Sequence, residues 1–334
     1  MKIKRLELSD FRGIKSLSLE LCDPGGNPLD LAVVAGPNGC GKTSVLEACL
    51  IALGYGPLPE GKEKAEYNVR EQGGDFRITL LVQTGSGNDL NIEHSKNTRG
   101  HDDADSENGP RAELSRAAFE YFSSWREPKL VGSLPVTAGK PGKRPKPNKE
   151  NRLWILKQDL INLTAHQAFL ERGQQLSLMG DREESVFERI NSAWKLFYPR
   201  KDQRFVAEPV SEDWEKGFDL FLKEADGDFK ISVDKLSAGE IEVLTMLGWF
   251  AIRKSPIDIL FIDEPELHLH QSWHRVILKA LRKVLPDTQI VCATHSPEVL
   301  DSVDFYQRFT LLEESDPRVR ATRMHREPPG LGAE

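Results

Sequence analysis

No apolar run in the chain reaches the roughly 18 residues that a membrane-spanning helix requires, and the opening MKIKRLELSDFRG has no apolar middle of the kind a secretory signal carries. The expectation is a cytoplasmic protein with no membrane role. Cysteine is scarce: Cys22, Cys40, Cys49 and Cys292 lie scattered without a CxxC pair, which argues against a zinc ribbon or a disulfide framework and for small buried residues. Basic excess is missing as well. Lys and Arg number 45 against 52 Asp and Glu, a net charge of -7, so the whole molecule lacks the footprint of a dedicated nucleic-acid binder and any such contact must be local. No heptad register lasts the three or four repeats a coiled coil needs, and internal repeats are absent.

What is present suits one large globular domain or two modest lobes: 334 residues, 39% hydrophobic and 29% charged. Ile3, Leu6, Leu8 and Phe11, then Leu17, Leu19 and Leu21, alternate like two strands around a turn. Leu31 to Ala35 is an apolar strand, a Gly-rich loop follows, and Thr43 to Leu53 carries apolar residues at helical spacing with Gly54 as a stop. Phe76 to Gln83 and Asp89 to Glu93 read as a strand pair, and HDDADSENGP as an exposed loop. Pro128 to Asn151 holds Lys129, Lys140, Lys143, Arg144, Lys146 and Lys149 among prolines and glycines, and reads as a mobile basic loop. Arg152 to about Arg172 and Arg182 to about Phe197 are helical, with a break near Met179 and Gly180. Beyond them come a helix over Ser237 to Arg253, an apolar strand over Ile257 to Ile262, an amphipathic helix over Gln271 to Leu285 and a strand over Gln289 to Thr294. Strands alternating with helices imply an α/β fold with a mostly parallel sheet.

Four short segments carry chemistry. Gly36-Pro37-Asn38-Gly39-Cys40-Gly41-Lys42-Thr43 fits G-x-x-x-x-G-K-[ST] and sits between an apolar strand and a helix. Its glycines let backbone N–H groups converge on an anion, Lys42 reaches the β- and γ-phosphates, and the Thr43 hydroxyl serves Mg²⁺. The strand Ile257 to Ile262 delivers Asp263 and Glu264 before Pro265: Asp263 to hold Mg²⁺, Glu264 to orient and deprotonate the attacking water. That Asp-Glu-Pro end could equally be a plain helix cap, but its company with the Gly-rich loop favours chemistry. Leu236-Ser237-Ala238-Gly239-Glu240 is a capping box by itself, and its Ser hydroxyl and helix N-terminus also suit a γ-phosphate brought by a second polypeptide. His295, in Thr294-His295-Ser296-Pro297, falls at a strand end where a neutral imidazole can hydrogen-bond that phosphate.

In this order the motifs resemble the ABC-type ATPases of the SMC, RecF and OLD groups. The match runs through Asp10 to Ile14, Gly36 to Thr43, Leu236 to Glu240, Ile259 to His270 and Thr294 to Pro297, and covers Met1 to about Val303. The resemblance implies a P-loop ABC-type head with an antiparallel N-terminal β subdomain, ATP and Mg²⁺ as ligands, and a homodimer with two ATPs sandwiched. Each ATP would touch Lys42 of one chain and Ser237 and Gly239 of the other. It also assigns Arg12, Ser44 and Glu240 to the nucleotide, and Glu266 to His270 to the D-loop. His268, His270 and His274 have a spacing that suggests zinc, but the family match favours structural roles. The Q-loop position is open between Gln158, Gln83 and Ser124 to Arg126. The chain departs from SMC members in lacking the long coiled coil, and from OLD nucleases in lacking a Toprim domain.

The expected organisation is an N-terminal lobe with the P-loop (1–127), the basic loop (128–151), a helical insert (152–230), a C-terminal lobe (231–310) and a tail (311–334). The expected function is an ATP-gated switch for a separately encoded nuclease or toxin, as in prokaryotic anti-phage defence systems whose compact ATPases resemble this chain. The alternative is a RecF-like DNA-binding ATPase of genome maintenance, using the basic loop on DNA or RNA. A small-molecule kinase fits less well, since it needs neither Ser237 to Glu240 nor the Asp-Glu pair.

Overall fold

The computed structural model describes residues 1–55, 67–70, 74–96, 110–124, 126, 130, 132–136, 152–172, 180–211, 217–224, 229–253, 255–312 and 325–326. In chain order the elements begin with β1 (Lys2–Phe11), β2 (Ile14–Glu20), β3 (Leu31–Ala35), α1 (Lys42–Ala52), β4 (Arg77–Gln83) and β5 (Asp89–Ser95). There follow α2 (Pro110–Arg116), β6 (Phe119–Phe122), α3 (Arg152–Arg172), α4 (Gly180–Trp194), β7 (Gln203–Pro209), β8 (Phe218–Glu224) and β9 (Lys230–Ser232). The last are α5 (Ala238–Ala251), β10 (Ile259–Asp263), α6 (Gln271–Val284), β11 (Gln289–Thr294), α7 (Pro297–Asp301), β12 (Arg308–Thr310) and β13 (His325–Arg326). Among the described residues no helix is long and apolar enough to cross a membrane.

The chain divides into two units. The first, Met1–Ser124 with Pro256–Pro265 and Asp287–Glu334, holds two sheets. An antiparallel sheet runs β2-β1-β4-β5, and a six-stranded sheet runs β13-β12-β3-β11-β10-β6, in which β12 through β6 pair in parallel and β13 joins β12 antiparallel. β1 alternates as sequence patterning demands: Ile3, Leu6, Leu8 and Phe11 are buried while Arg5, Glu7 and Ser9 face out. β3, β10 and β11 are buried throughout, as parallel strands covered on both faces must be. One continuous core joins Leu6, Phe76 and Leu80 of the antiparallel layer to Leu46 and Leu50 of α1 and Phe261 and Val291 of the parallel layer. Gln289 is fully buried within it. Its amide donates to the Ile3 and Leu29 carbonyls at 2.9 and 2.8 Å and accepts from Ile3 N–H at 2.6 Å, so the polar group satisfies itself while tying β1 to the start of β11.

The second unit is Trp125–Ser255 with Glu266–Pro286. Helices α3, α4, α5 and α6 pack on one another, and β7-β8-β9 forms a small antiparallel sheet against α3 and α4. Residues 152–230, expected as a helical insert, therefore carry β7 and β8 besides the two helices. Their alternation is short, with Phe205 and Ala207 inward on β7 and Leu220 and Leu222 on β8. Residues 173–179 fall outside the described residues, as does nearly all of the tail, and Gly180, expected in a break, opens α4. Arg189 of α4 donates to the Ala251 carbonyl at 3.3 Å and the Val284 carbonyl at 2.6 Å, closing the C-terminal ends of α5 and α6 with one guanidinium.

Candidate nucleotide site

Strand register assembles the first half of the site. Ala35 of β3 pairs with Thr294 of β11, and Ala293 with Asp263 of β10, so the three strands end at one level. The residues that leave those ends are Gly36, His295 and Glu264. Ligands of open parallel sheets bind outside the carboxyl ends of the strands, and here three of the four sequence motifs emerge together.

The loop after β3 is built for an anion. A Cβ on Gly36 would lie 2.4 Å from the Leu311 carbonyl oxygen and 2.8 Å from Cys40 Sγ, so no side chain fits, and Gly41 caps α1 in the left-handed conformation with φ 97°. Helices α5, α6 and α7 start with a side-chain cap from Ser237, His270 and Ser296; α1 has none, and no acidic residue in its first turn. The positive end of α1 is thereby kept for another acceptor. Lys42 is buried, and its ammonium donates back to the carbonyls of Gly36 and Pro37 at 2.9 and 2.8 Å, bonds of the kind a phosphate can take over. Thr43 Oγ1 donates to Asp263 Oδ2 at 2.9 Å. A hydroxyl and a carboxylate are hard oxygen donors, so the pair fits Mg²⁺.

Glu264 and His295 meet above this pair. Glu264 adopts φ 52°, a left-handed backbone forced on a residue that also precedes proline, and its N–H bonds the Ala293 carbonyl at 2.8 Å. His295 Nδ1 stands 3.3 Å from Glu264 Oε1. The histidine is fixed from both sides, for Ser296 N–H donates to Thr294 Oγ1 at 2.9 Å and Ser296 Oγ accepts from Val299 N–H at 3.3 Å as the cap of α7.

This arrangement has relatives. The family described as "AAA domain, putative AbiEii toxin, Type IV TA system" matches residues 31–301. The chain belongs to that family. It is 36% identical over 85 residues to the retron Ec83 probable ATPase of Escherichia coli, covering 22% of this chain and 16% of that protein. It is 31% identical over 115 residues to the retron Vc95 probable ATPase of Vibrio cholerae serotype O1 biovar El Tor, covering 31% and 22%. These alignments span less than a quarter of either retron protein's length. The Septu protein PtuA of Bacillus thuringiensis aligns more widely, at 22% identity over 321 residues, 90% of this chain and 73% of PtuA. Among solved structures, an SMC head bound to the C-terminal winged-helix domain of ScpA superposes with a TM-score of 0.57 at 14% identity, over 93% of this chain and 94% of that one. An SMC head with an extended coiled coil, bound to the C-terminal domain of ScpA from Pyrococcus furiosus, gives 0.51 at 12%, over 92% and 93%. The fold is that of an SMC-type P-loop ATPase head, as the motif order implied.

The remaining family motifs lie in the second unit. Ser237 caps α5 in a full capping box: its N–H and Oγ donate to Glu240 Oε2 at 2.9 and 2.7 Å, and its Oγ accepts from Glu240 N–H at 3.4 Å. Ser237 is exposed while Gly239 is buried. A Cβ on Gly239 would sit 2.7 Å from the His268 carbonyl oxygen, so glycine is what lets the α5 turn touch the Glu266 to His270 loop. His268 itself is left-handed at φ 65°. His270 caps α6 and bonds Ser272 Oγ at 2.8 Å, and His274 Nε2 lies 3.3 Å from the Leu269 carbonyl, so two of the three histidines have local partners. Among the described residues no group of three or more His, Cys, Asp or Glu could hold a metal ion.

Arg12 is placed in the first unit with its guanidinium against the buried Glu47 of α1, Nε donating to Asn68 at 3.0 Å and the group 5.0 Å from the Phe11 ring. That fixes the β1–β2 turn to the helix behind the P-loop. Of the Q-loop candidates, Gln158 is a buried α3 residue bonded to Pro135 and Asn162, and Gln83 ends β4. Arg126 instead forms a buried ion pair with Glu242 of α5, two residues beyond the capping box. Sequence reading missed that pair, whose only signal is a charge at an otherwise apolar helix position. The six basic residues expected in Pro128–Asn151 all lie outside the described residues.

Proposed function

We propose that the chain is an ATPase that works as a head-to-tail pair of copies, each nucleotide held by the P-loop of one copy and covered by the Ser237 to Glu240 turn of the other. The observation that carries this is the common level of the β3, β10 and β11 ends, which brings Lys42, Thr43, Asp263, Glu264 and His295 to one end of the parallel sheet. In this reading Lys42 exchanges its two carbonyl bonds for phosphate oxygens, and the first-turn N–H groups of α1, with Ser44 among them, receive the anion. Thr43 and Asp263 would hold Mg²⁺, which would supply positive charge to offset that building on the phosphates. Glu264 accepts a proton from the attacking water.

His295 has two duties that a neutral ring cannot perform at once. With Nδ1–H given to Glu264, Nε2 carries only a lone pair, so donating to a phosphate needs the protonated ring or a Glu264 that has turned to the water. His295 thus links arrival of the phosphate to release of the base.

The retron and Septu relatives, with the compact defence ATPases that the motif order resembles, support an output outside this chain: a separately encoded nuclease or toxin whose activity the ATP-dependent closure of the pair controls, in anti-phage defence. The test is Ser237→Arg, which fills the space meant for the opposing phosphate. Steady-state hydrolysis should collapse in this variant, while mixing it with Lys42→Ala should restore part of the activity through one intact composite site. Wild-type turnover by Ser237→Arg, with activity per chain independent of protein concentration, would sink the shared-site reading.

A further inference from the structure

Glu240 is engaged at both oxygens. Oε2 accepts from the N–H and hydroxyl of Ser237, and Oε1 accepts from the Tyr198 phenol at 2.6 Å. Tyr198 belongs to neither motif. It lies in the turn after α4, with its ring 5.2 Å from Trp194 and 5.4 Å from Trp273 of α6 in edge contact, and Lys201 Nζ 5.3 Å from its face. Two tryptophans on two helices therefore fix where the phenol points. Burial and the carboxylate it serves push the Tyr198 phenol well above its ordinary value, so it remains a donor at any physiological pH.

The single proton of the Ser237 hydroxyl is the consequence. Donated to Glu240, it is withheld from any phosphate, and the carboxylate beside it repels an arriving anion. For Ser237 to serve a γ-phosphate, its hydroxyl must turn away from Glu240 Oε2 while the carboxylate stays in place through its remaining partners, the Ser237 N–H and the Tyr198 phenol. We propose that Tyr198 is a positioning residue for the composite site: by holding Glu240 Oε1 it keeps the carboxylate in place while the Ser237 hydroxyl turns from Oε2 to the phosphate. The α4–β7 turn is thereby a control point, since a partner that shifts Tyr198 would change ATP-driven closure without touching the nucleotide. This rests on the reading that Ser237 meets phosphate.

The experiment is a cycle in the full-length chain with ATP titrated into each variant. Tyr198→Phe preserves the ring cluster and removes only the donor. A lost hydrogen bond to a charged acceptor at this partly exposed position should raise KM for ATP about 10-fold and leave kcat within about 3-fold. In a Glu240→Gln background the same change should move KM less than about 2-fold, because no carboxylate remains to be held. A purely structural role would lower the thermal midpoint and act equally in both backgrounds, and that result overturns the proposal. So does an unchanged KM in Tyr198→Phe when Ser237→Ala raises it. If Ser237→Ala leaves KM as it was, the shared-site reading has failed first and this inference falls with it.

Discussion

Replacing Glu264 by glycine should separate stability from turnover. Its backbone is held at φ 52°, a left-handed conformation that costs a non-glycine residue about 1–2 kcal/mol, and the following Pro265 adds to the strain. Glycine removes that cost but gives back about 0.5–1 kcal/mol through the greater freedom of the unfolded chain. Against that, the Glu264 pair with the half-exposed His295 contributes about 0–1 kcal/mol. The balance predicts that Glu264→Gly folds as stably as wild type or up to about 1 kcal/mol better. Hydrolysis should nevertheless fall by roughly 100-fold or more, since no group remains to take the proton from water. Glu264→Gln should lose activity similarly with the backbone strain retained. Urea unfolding gives the first quantity and phosphate release the second. A Glu264→Gly protein destabilised by more than about 1 kcal/mol would refute the strain argument, because it would mean that the carboxylate holds the fold together rather than being held by it.

Two further outcomes follow from groups away from the reacting centre. α5 has no basic residue in its last turn, and Arg189 supplies that charge from α4 while also closing α6, so Arg189→Met should destabilise the second unit by about 1–3 kcal/mol in urea unfolding; a change under about 0.5 kcal/mol would show the bonds to be incidental. Burial pushes the Cys49 thiol up to about 12, so at pH 8 it stays protonated and closed to alkylation, whereas Cys40 in the P-loop is partly exposed. Iodoacetamide should therefore label Cys40 ahead of Cys49, ATP should slow that labelling, and mass spectrometry that finds Cys49 modified first would contradict the burial argument.

Most of the first unit is legible in sequence because its patterns are long and its chemistry local. β3 and β11 begin and end at the residues their apolar runs predict, and β1 alternates from Arg5 to Ser9 between a register shift at Ile3 and the paired exposed residues before Phe11. The P-loop announces itself because glycine is required twice within six residues by close approach and by left-handed backbone, at Gly36 and Gly41. β6 is different. Phe119–Phe122 is four residues long, and its place beside β10 depends on a pairing with residues 140 positions later that no local pattern encodes. β7 and β8 escape sequence reading for a related reason: they are an antiparallel pair in which β7 buries only two apolar residues, Phe205 and Ala207, beside polar Gln203, too few to outweigh the helices that precede them.

The same contrast runs through the candidate site. Lys42, Asp263, Glu264 and His295 can be named from the sequence alone because each occupies a fixed offset from a strand end, and the strand register then brings those ends to one level. Tyr198, Arg126 and Arg189 cannot. Each reaches its partner through a side chain from a different element, onto Glu240, Glu242 and the ends of α5 and α6, so its role exists only once the helices have packed. All three act on the helix that begins at Ser237. A motif at the start of a helix shows which atoms can meet a ligand; the contacts along the rest of that helix determine how readily it moves to do so. For α5, one residue holds the carboxylate at its first turn, one pairs with its second acidic residue and one closes its last carbonyl.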